Sequence, residues 1–245
     1  MISVTIIILN EEKNIKEVID SVKALGEIIV VDSGSKDKTV EIAKNAGAKV
    51  YFRKFDNFAN QKNYAVSKAF GNWILSVDAD EEISGKLSEE IKVAVEEKEY
   101  DAYLIPRRNY ILGREIKHSR WSPDKHIWLW KKEKGKWVGD VHEEVIVSGK
   151  VGELSEAKIN YQDENISSFL EKNAFYADLY AKSLYKTGVK FSLSHLIFDP
   201  LFEFILRYFY KLGFLDGVRG FILAYLMGIY KITIWIKIYE LQKLK

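Results

Sequence analysis

The strongest constraint in this sequence is an alternation of short apolar runs and helical patterns that fills about the first 90 residues. The apolar runs are rich in β-branched residues, which is typical of strands that are covered on both faces. The segments between them place apolar residues at helical spacing, four of them in the first segment. Strands that alternate with helices predict a doubly wound α/β sheet whose strands are mostly parallel. The predicted strands are residues 3–9, 27–31, 49–52 and 73–77, and the first helix has its apolar face at Ile15, Val18, Ile19 and Val22.

The rest of the chain predicts a mixed region and then a helical one. A helix is expected over 87–97, and four apolar runs with strand character follow it, at 102–105, 110–112, 127–130 and 145–147. From residue 167 the pattern becomes helical again. We therefore expect a sheet domain over residues 1–165, divided into halves of about 1–100 and 101–165, and a C-terminal helical region over 166–245.

Composition argues against several classes of protein. The chain has no cysteine, which excludes a disulfide scaffold, a cysteine nucleophile and a thiolate metal site. Its formal net charge of only +2 predicts no nucleic-acid partner. The glycine-rich motifs of dinucleotide-binding enzymes and P-loop proteins are missing, and so is the Gly-x-Ser-x-Gly turn. These absences argue against a dehydrogenase, a P-loop enzyme and a hydrolase with that turn.

Polar side chains stand at the carboxyl ends of the predicted strands, which is where open parallel sheets bind ligands. The first strand leads into Asn10 and Glu11, and the second ends on Asp32. The fourth ends on Asp78 and Asp80, two carboxylates that can hold a hard divalent cation. The alternative is an acidic turn that opens the next helix, because the acidic run from Asp80 onward also suits the positive end of a helix dipole.

Three further features have both a structural and a functional interpretation. Asp32 can accept hydrogen bonds from a nucleobase or ribose, whereas the Ser-Gly-Ser run after it is ordinary turn chemistry. Lys62 lies on a helix between strands three and four, where a solvated surface lysine is the commoner outcome. His142 can supply a third metal ligand and a general base, and an edge-strand ion-pair cluster is the alternative. The carboxylates beside it are Asp140, Glu143 and Glu144.

Residues 191–245 form a compositional segment of their own, with a net charge of +3 and 13 of the 33 aromatic residues. A first helix is predicted to begin with Asp199 as its N-cap and Pro200 at its first position. A second helix, apolar on nearly all sides, is predicted from about Gly217 to Leu244. Its longest uncharged run, 220–230, is shorter than the roughly 20 residues that cross a bilayer, so we expect no transmembrane span. The first helix carries one charged stripe, at Asp199, Glu203, Arg207 and Lys211.

Four segments of this chain, taken together, resemble the glycosyltransferases of family 2, which have the Rossmann-like GT-A fold. These segments are 2–12 (ISVTIIILNEE), 31–39 (VDSGSKDKT), 61–63 (QKN) and 76–81 (SVDADE). Within that family the chain is most similar to the lipopolysaccharide core glucosyltransferase subgroup. The subgroup likeness continues through 121–124, 141–143 and 213–217, so the resemblance covers nearly the whole chain.

The resemblance implies an inverting, metal-dependent enzyme that transfers a sugar from a nucleoside-diphosphate donor. It makes UDP-glucose the first donor to consider, with Mg²⁺ or Mn²⁺ on the diphosphate. It also implies that the half over 1–100 binds the nucleotide and the half over 101–165 binds the acceptor. By resemblance, the nucleotide-sugar is bound by Leu9, Asn10, Glu11, Asp32, Lys62 and Asp78, the metal by Asp80 and His142, and the acceptor is deprotonated by Glu143, with Asp140 and Glu144 as alternatives.

The C-terminal helices predict where the acceptor is found. Basic, aromatic, amphipathic helices suit the inner face of a membrane, where a lipid-linked or cell-envelope saccharide is available. We therefore expect a cytoplasmic protein that is peripheral on the cell membrane. Alternatively, these helices close the acceptor side of the domain or pair two subunits of a homo-oligomer. Two other functional hypotheses remain: a catalytically silent protein that docks at membranes, and a nucleotidyltransferase, which needs a glycine-rich phosphate loop.

Overall fold

The computed structural model describes residues 1–97, 99–139, 143–162 and 165–243. Asp140 and His142, both named from the sequence, lie outside these ranges. The chain divides into two compact units. The first consists of Met1–Arg107 and Lys125–Asn160, and the second of Arg108–Asp124 and Tyr161–Lys245. These are compact bodies and not functional halves, so the proposed division at residues 100 and 165 stays a prediction.

The first unit is an α/β body built on one large sheet. Its helices are α1 (Ile15–Val22), α2 (Thr39–Asn45), α3 (Phe58–Lys68) and α4 (Gly85–Glu96). Its strands are β1 (Ile2–Ile8), β2 (Gly26–Asp32), β3 (Lys49–Phe52), β4 (Trp73–Ser76), β5 (Glu81–Glu82), β6 (Ala102–Ile111, of which the first six residues belong here), β8 (Lys125–Lys131), β9 (Gly135–Val138), β10 (Glu144–Val147), β11 (Val151–Glu153) and β12 (Lys158–Tyr161, up to Asn160).

The strand order of the sheet is β3-β2-β1-β4-β8-β6-β12-β5. The first four strands in that order are parallel, and β8 is antiparallel to both β4 and β6. The predicted mostly parallel α/β sheet is therefore confirmed. Parallel strands place their carboxyl ends at one edge of the sheet, which brings the loops after β1, β2 and β4 together.

The central strand β1 is buried on both of its faces, as its apolar sequence predicts. Val4 and Ile6 are fully buried, and so are Ser3 and Thr5, whose side chains point to the opposite face. Strands β9 and β10 of the same unit form an antiparallel hairpin. This hairpin positions Glu143, which directly precedes β10.

The second unit is mainly helical. Its elements are β7 (Arg114–Ile116), which pairs with the end of β6, and the helices α5 (Ile166–Lys186), α6 (Leu193–Ile205) and α7 (Gly217–Lys243). A π-helical turn (Leu206–Tyr210) and a 3-10 turn (Gly213–Asp216) connect α6 with α7. Helix α6 begins six residues before the predicted N-cap, because Ser192 caps it, with its hydroxyl accepting from the His195 amide. Pro200 therefore lies inside the helix, and the prediction of a helix start at Asp199 was wrong.

The middle of the charged stripe, Glu203 and Arg207, faces the interior of this unit, whereas Asp199 is half-buried and Lys211 is exposed. Asp199 accepts a hydrogen bond from the indole N–H of Trp235 at 2.8 Å. Glu203 and Arg207 are both buried and pair at 2.5 Å, and Arg207 also donates to the carbonyl of Ser119 at 2.9 Å. The opposite face of α6 is apolar and exposed. Its exposed side chains are Leu193, Ile197, Phe198, Leu201, Phe202 and Ile205.

Helix α7 is the central helix of the second unit, and it packs against α5 and α6. Among the described residues, the segment Gly213–Lys243 is the one stretch of helix that is long and apolar enough to cross a membrane. Only 39% of its most apolar window is buried within the protein. The sequence-based expectation of no such segment counted only the uncharged run 220–230. Lysines at 231 and 237 interrupt the apolar sequence of α7, but the helix continues through both of them.

Candidate active site

The loops that follow β1 and β2 interlock through their polar groups. The amide of Asn10 donates to the Ser35 hydroxyl at 2.9 Å, and its side-chain oxygen accepts from the Lys36 amide at 2.8 Å. The amide of Glu11 donates to the Thr39 hydroxyl at 2.7 Å. Asn10 has a φ of 57°, a left-handed conformation that asparagine tolerates better than most residues. The side chain of Leu9 next to it is 52% exposed, so it lies at the surface of this edge.

The carboxylate of Asp32 organises the second of these loops. It accepts hydrogen bonds from the amide of Gly34 at 2.9 Å and from the amide and hydroxyl of Ser35 at 3.0 and 2.6 Å. Gly34 has a φ of 111°, which a residue with a side chain rarely adopts. The turn interpretation of this segment is therefore correct for the loop itself. Asp32 is nevertheless held at the sheet edge, where the sequence places a nucleoside.

Three consecutive residues of α3 reach three different parts of the first unit. Gln61 is fully buried and donates to the hydroxyl of Ser33, just after β2. Asn63 donates to the carbonyl of Trp137 on β9 and accepts from its amide, at 2.9 and 3.1 Å. Lys62 lies between them and is 5% exposed. It is not the solvated surface lysine that its position alone favoured.

The ammonium of Lys62 joins two of the residues named from the sequence. It lies 2.8 Å from an oxygen of Glu143 and 3.1 Å from an oxygen of Asp78. It also lies 4.4 Å from the ring centroid of Trp137, within the range of a cation–π contact. Burial disfavours the charged lysine, but the two carboxylates outweigh that cost and hold the pKa of Lys62 above its ordinary value.

Asp78 is surrounded by positive charge. Burial opposes ionisation of its carboxyl group, but Lys62, Lys158 and Arg107 outweigh it and hold the pKa of Asp78 well below its usual range. The side chain of Asp78 is still 28% exposed, and Asp80 on the same turn is half-buried. Two carboxylates at an accessible turn are therefore compatible with a hard cation.

A fully buried ion pair underlies this turn. The ammonium of Lys158 on β12 lies 2.6 Å from an oxygen of Glu81, and neither side chain is exposed. That same oxygen accepts a hydrogen bond from the amide of Asp78 at 2.8 Å. Burial is the dominant influence on both groups, so the pKa of Lys158 falls to about 8 and the pKa of Glu81 rises. The guanidinium of Arg107 lies 3.3 Å from the other oxygen of Glu81.

This arrangement overturns the alternative interpretation of the acidic run. Helix α4 does not begin in the run, because its N-cap is Ser84, whose hydroxyl accepts from the amide of Leu87 at 3.1 Å. Glu81 instead belongs to the short strand β5. Sequence reasoning did not find Lys158 or Arg107. The sequence carried only a weak signal, the alternation of Lys158 and Asn160 with apolar Ile159. The structure shows that both polar residues are buried.

The described site residues fall into two groups. Leu9, Asn10, Glu11 and Asp32 share the loops after β1 and β2, whereas Lys62, Asp78 and Glu143 are in direct contact. Of the two adjacent glutamates proposed as a base, Glu143 contacts Lys62 while Glu144 is exposed at the start of β10. Within the described ranges no cluster of three or more His, Cys, Asp or Glu forms a metal cage. Mg²⁺ does not require one, because one or two carboxylates usually bind it together with substrate phosphates.

The fold has a counterpart among solved structures. TarS of S. aureus (residues 1–349), in a complex with UDP-GlcNAc, superposes with a TM-score of 0.52 at 17% identity, over 94% of this chain and 81% of that one. At this identity the likeness shows the fold alone. It confirms the expected GT-A type of α/β fold.

Sequence comparison identifies the family. The model of glycosyl transferase family 2 matches residues 3–149, and the chain therefore belongs to that family and is a glycosyltransferase. It is 34% identical over 235 residues to an uncharacterized glycosyltransferase of Rickettsia typhi, which covers 90% of this chain and 80% of that relative. It is 28% identical over 257 residues to the lipopolysaccharide core biosynthesis glycosyltransferase LpsC of Rhizobium meliloti, over 100% of this chain and 94% of LpsC. Family membership favours an enzyme over a catalytically silent docking protein.

Proposed function

We propose that this glycosyltransferase is inverting and metal-dependent, and that it moves a sugar from a nucleoside-diphosphate donor to a lipid-linked or cell-envelope saccharide. The observation that carries the proposal is the contact of Lys62 with both Asp78 and Glu143. That contact places a candidate donor-site carboxylate and a candidate base around one buried cation. The similarity to LpsC supports an envelope saccharide as acceptor, and UDP-glucose is the first donor to test.

The donor is proposed to lie at the carboxyl edge of β1, β2 and β4. The loops that carry Leu9, Asn10, Glu11 and Asp32 form the nucleoside pocket in this proposal. Their interlocking hydrogen bonds hold the pocket in shape before the ligand arrives, so little ordering free energy is lost on binding. TarS, which shares the fold, was solved with UDP-GlcNAc, so a UDP-linked sugar is a reasonable donor class.

Asp78 and Asp80 are proposed to hold Mg²⁺ or Mn²⁺ on the donor diphosphate, with His142 as a further ligand. Their oxygen donors suit hard cations, and both carboxylates lie at an accessible turn. When bound, the cation supplies positive charge to the oxygens of the departing diphosphate. Lys62 contributes fixed positive charge beside Asp78, which adds to the favourable field for the negative charge that develops on the diphosphate.

Glu143 is proposed to accept the proton of the acceptor hydroxyl. The hydroxyl oxygen forms a bond to the anomeric carbon on the face opposite the diphosphate, and the bond from that carbon to the diphosphate oxygen breaks. The electron pair of the broken bond leaves with the diphosphate, and the proton moves to the Glu143 carboxylate. Attack from the opposite face inverts the anomeric configuration. Lys62 orients the Glu143 carboxylate at 2.8 Å.

The test compares Glu143→Gln with its neighbour Glu144→Gln as a matched control. We expect Glu143→Gln to lose about 10²–10⁴-fold in transfer, the usual contribution of a general base, and to bind UDP as tightly as the wild type. The measurement is UDP release from UDP-glucose with Mn²⁺ and lipopolysaccharide core oligosaccharide. Asp140→Asn is the third arm. Full transfer by Glu143→Gln, with the loss in Glu144→Gln or Asp140→Asn, would remove Glu143 from this role.

We also propose that the second unit holds the enzyme on the cytoplasmic face of a membrane. The support is the polarity of α6 and the turn after it: Glu203 and Arg207 are buried in the protein, while Phe198, Leu201 and Phe202 are 55–65% exposed. A helix with aromatic and aliphatic side chains on its open face suits the headgroup boundary of a bilayer. The basic composition of the C-terminal segment suits anionic lipids.

Vesicle flotation tests this second proposal. We expect the wild type to float with vesicles of phosphatidylglycerol and phosphatidylethanolamine, and the variant Phe198→Ser/Leu201→Ser/Phe202→Ser to stay in solution. Phe52→Ser/Phe70→Ser is the matched control, because both rings are exposed in the first unit, at 67% and 71%. Equal flotation of the two variants would contradict docking through α6. A wild type that does not float but forms a dimer would favour pairing of two subunits.

A further inference from the structure

We propose that Lys158 and Glu81 are positioning residues that fix the turn carrying Asp78 and Asp80. This inference rests on the proposed role of that turn in holding a divalent cation. Neither Lys158 nor Glu81 contacts the nucleoside loops in the described contacts. Both residues act through the backbone of the turn.

Glu81 closes the turn from both sides. Its amide donates to the carbonyl of Asp78 at 3.1 Å, and its side chain accepts from the amide of Asp78 at 2.8 Å. Asp80 therefore lies in a turn whose first residue, Asp78, is held to its last residue, Glu81, by both of these hydrogen bonds. A carboxylate that accepts several hydrogen bonds fixes the backbone more firmly than a neutral acceptor does.

Lys158 in turn fixes the Glu81 carboxylate. Its ammonium lies 2.6 Å from Glu81 and 3.3 Å from the ring centroid of Trp128 on β8, and its side chain is fully buried. The pairing of β12 with β5, in which Asn160 stands opposite Glu81, determines the position of the lysine backbone. The pair is thus attached to two strands of the sheet, while the turn that it supports reaches the accessible edge.

Stability alone gives a weak reason for such a pair. Burying two charges costs several kcal/mol per ion in desolvation, and apolar residues of similar volume often replace a buried pair without loss of stability. A role in orienting metal ligands explains why the charges are placed under this turn. Partners one step removed from a metal typically contribute about 10–100-fold to metal affinity or activity.

The test measures transfer as a function of Mn²⁺ concentration for the wild type and for Lys158→Met. We expect the half-saturating Mn²⁺ concentration to rise about tenfold and kcat to fall about 10–100-fold, with the affinity for UDP in the absence of metal unchanged. Lys131→Met is the matched control. Lys131 also pairs with a carboxylate, Asp101 at 2.8 Å, and lies 5.6 Å from the ring centroid of Trp73, but away from the turn. We expect it to keep the wild-type Mn²⁺ dependence.

A second variant keeps the inference testable if Lys158→Met does not fold. Glu81→Leu/Lys158→Met replaces the ion pair with apolar side chains, and Arg107, which loses its contact with Glu81, still has the Asp78 carboxylate nearby. We therefore expect a folded protein that still needs about tenfold more Mn²⁺. Wild-type Mn²⁺ dependence in this folded double variant would overturn the positioning role. A wild-type enzyme that transfers sugar equally well without a divalent cation would instead overturn the proposed metal dependence, and the two failures are thereby distinguished.

Discussion

The two units of this chain bury charge for different purposes. In the first unit the buried charges Lys62, Lys158 and Glu81 gather at the turn that carries Asp78, at the carboxyl edge of the sheet. In the second unit the buried charges of Glu203 and Arg207 lie on one side of α6 and the turn that follows it, and apolar side chains take the outer face.

The proposed membrane docking accounts for the polarity of α6. A helix that turns its ion pair inward and leaves large apolar side chains open suits an apolar environment. In these proposals, buried charge in the first unit supports the donor site, and buried charge in the second unit orients the apolar face of α6.

The largest expected effect comes from a substitution that breaks the buried ion pair of the second unit. Arg207→Met removes the Glu203 partner at 2.5 Å and leaves that carboxylate with the half-exposed Arg120 at 3.6 Å, so we expect a loss of about 3 kcal/mol in the free energy of unfolding, the lower end of the cost of breaking a buried pair. Urea denaturation measures it, with the exposed Lys211→Met as control. Glu203→Leu/Arg207→Met removes both charges and is expected to recover most of the loss. If Arg207→Met were as stable as Lys211→Met, the stripe would not orient α6.

The next effect concerns the first unit, where loss of a buried charge is expected to affect the reaction most. Lys62→Met releases both Asp78 and Glu143, and we expect a fall of about 10²–10⁴ in kcat, the contribution of a positioned base. Lys68→Met on the same helix is the control, since Lys68 contacts the ring of Tyr64 and is away from both carboxylates. If Lys62→Met had the wild-type kcat with the donor saturating, the buried charge of Lys62 would not support the reaction, and the contrast drawn between the two units would be wrong.

A smaller effect sharpens the interpretation of the exposed face. Phe202→Ser is expected to lower partition into anionic vesicles about 10- to 100-fold, because burying one phenylalanine contributes about 1.5–3 kcal/mol. Phe52→Ser in the first unit is expected to leave partition unchanged. If Phe202→Ser dissociates a dimer and does not alter partition, the apolar face pairs two copies of the chain.

The smallest effect is a pH dependence of stability in the first unit. Burial raises the pKa of Glu27, but hydrogen bonds from Ser3, Lys49 and the amides of residues 70 and 71 outweigh it, so the pKa is lowered overall. Because the folded pKa lies below the unfolded one, this stabilisation is complete above the unfolded pKa of about 4.3 and disappears as the pH falls through the folded pKa.

We therefore expect Glu27→Gln to be about 1–3 kcal/mol less stable than the wild type at pH 7, a typical cost for hydrogen bonds to a charged group. The difference is expected to shrink below about pH 4, as the wild-type carboxylate takes up a proton. Denaturant unfolding at both pH values measures it. A difference of constant size would show that the charge of Glu27 does not contribute.

The sequence was sufficient for features that depend on pattern along the chain. Apolar runs that alternate with helices predicted the parallel sheet, and the strand ends then predicted that Asn10, Asp32 and Asp78 lie at one edge. It was insufficient for features that depend on which way a residue faces. The charged stripe of α6 has the same spacing whether it faces water or the interior, so periodicity alone does not distinguish the two.

Contacts between distant parts of the chain were also beyond the sequence. Lys158 contacts Glu81 from 77 residues away, and no local pattern connects them. Lys62 was identified by its likeness to family 2 enzymes, since position alone favoured a surface lysine. The start of α6 was misplaced because the favourable Asp-Pro pair outweighed the less conspicuous Ser192 cap.

The most direct test of the central claim, a metal-dependent nucleotide-sugar site at the edge of the first unit, is a thermal-shift panel. Nucleoside diphosphates and their sugar conjugates are added to the full chain, each with and without Mn²⁺. A ligand at a hundredfold excess over its Kd stabilises the folded state by about 2.7 kcal/mol. We predict a shift for one nucleobase that requires Mn²⁺. A folded protein that no nucleotide stabilises, or a shift that is the same without metal, would contradict the claim.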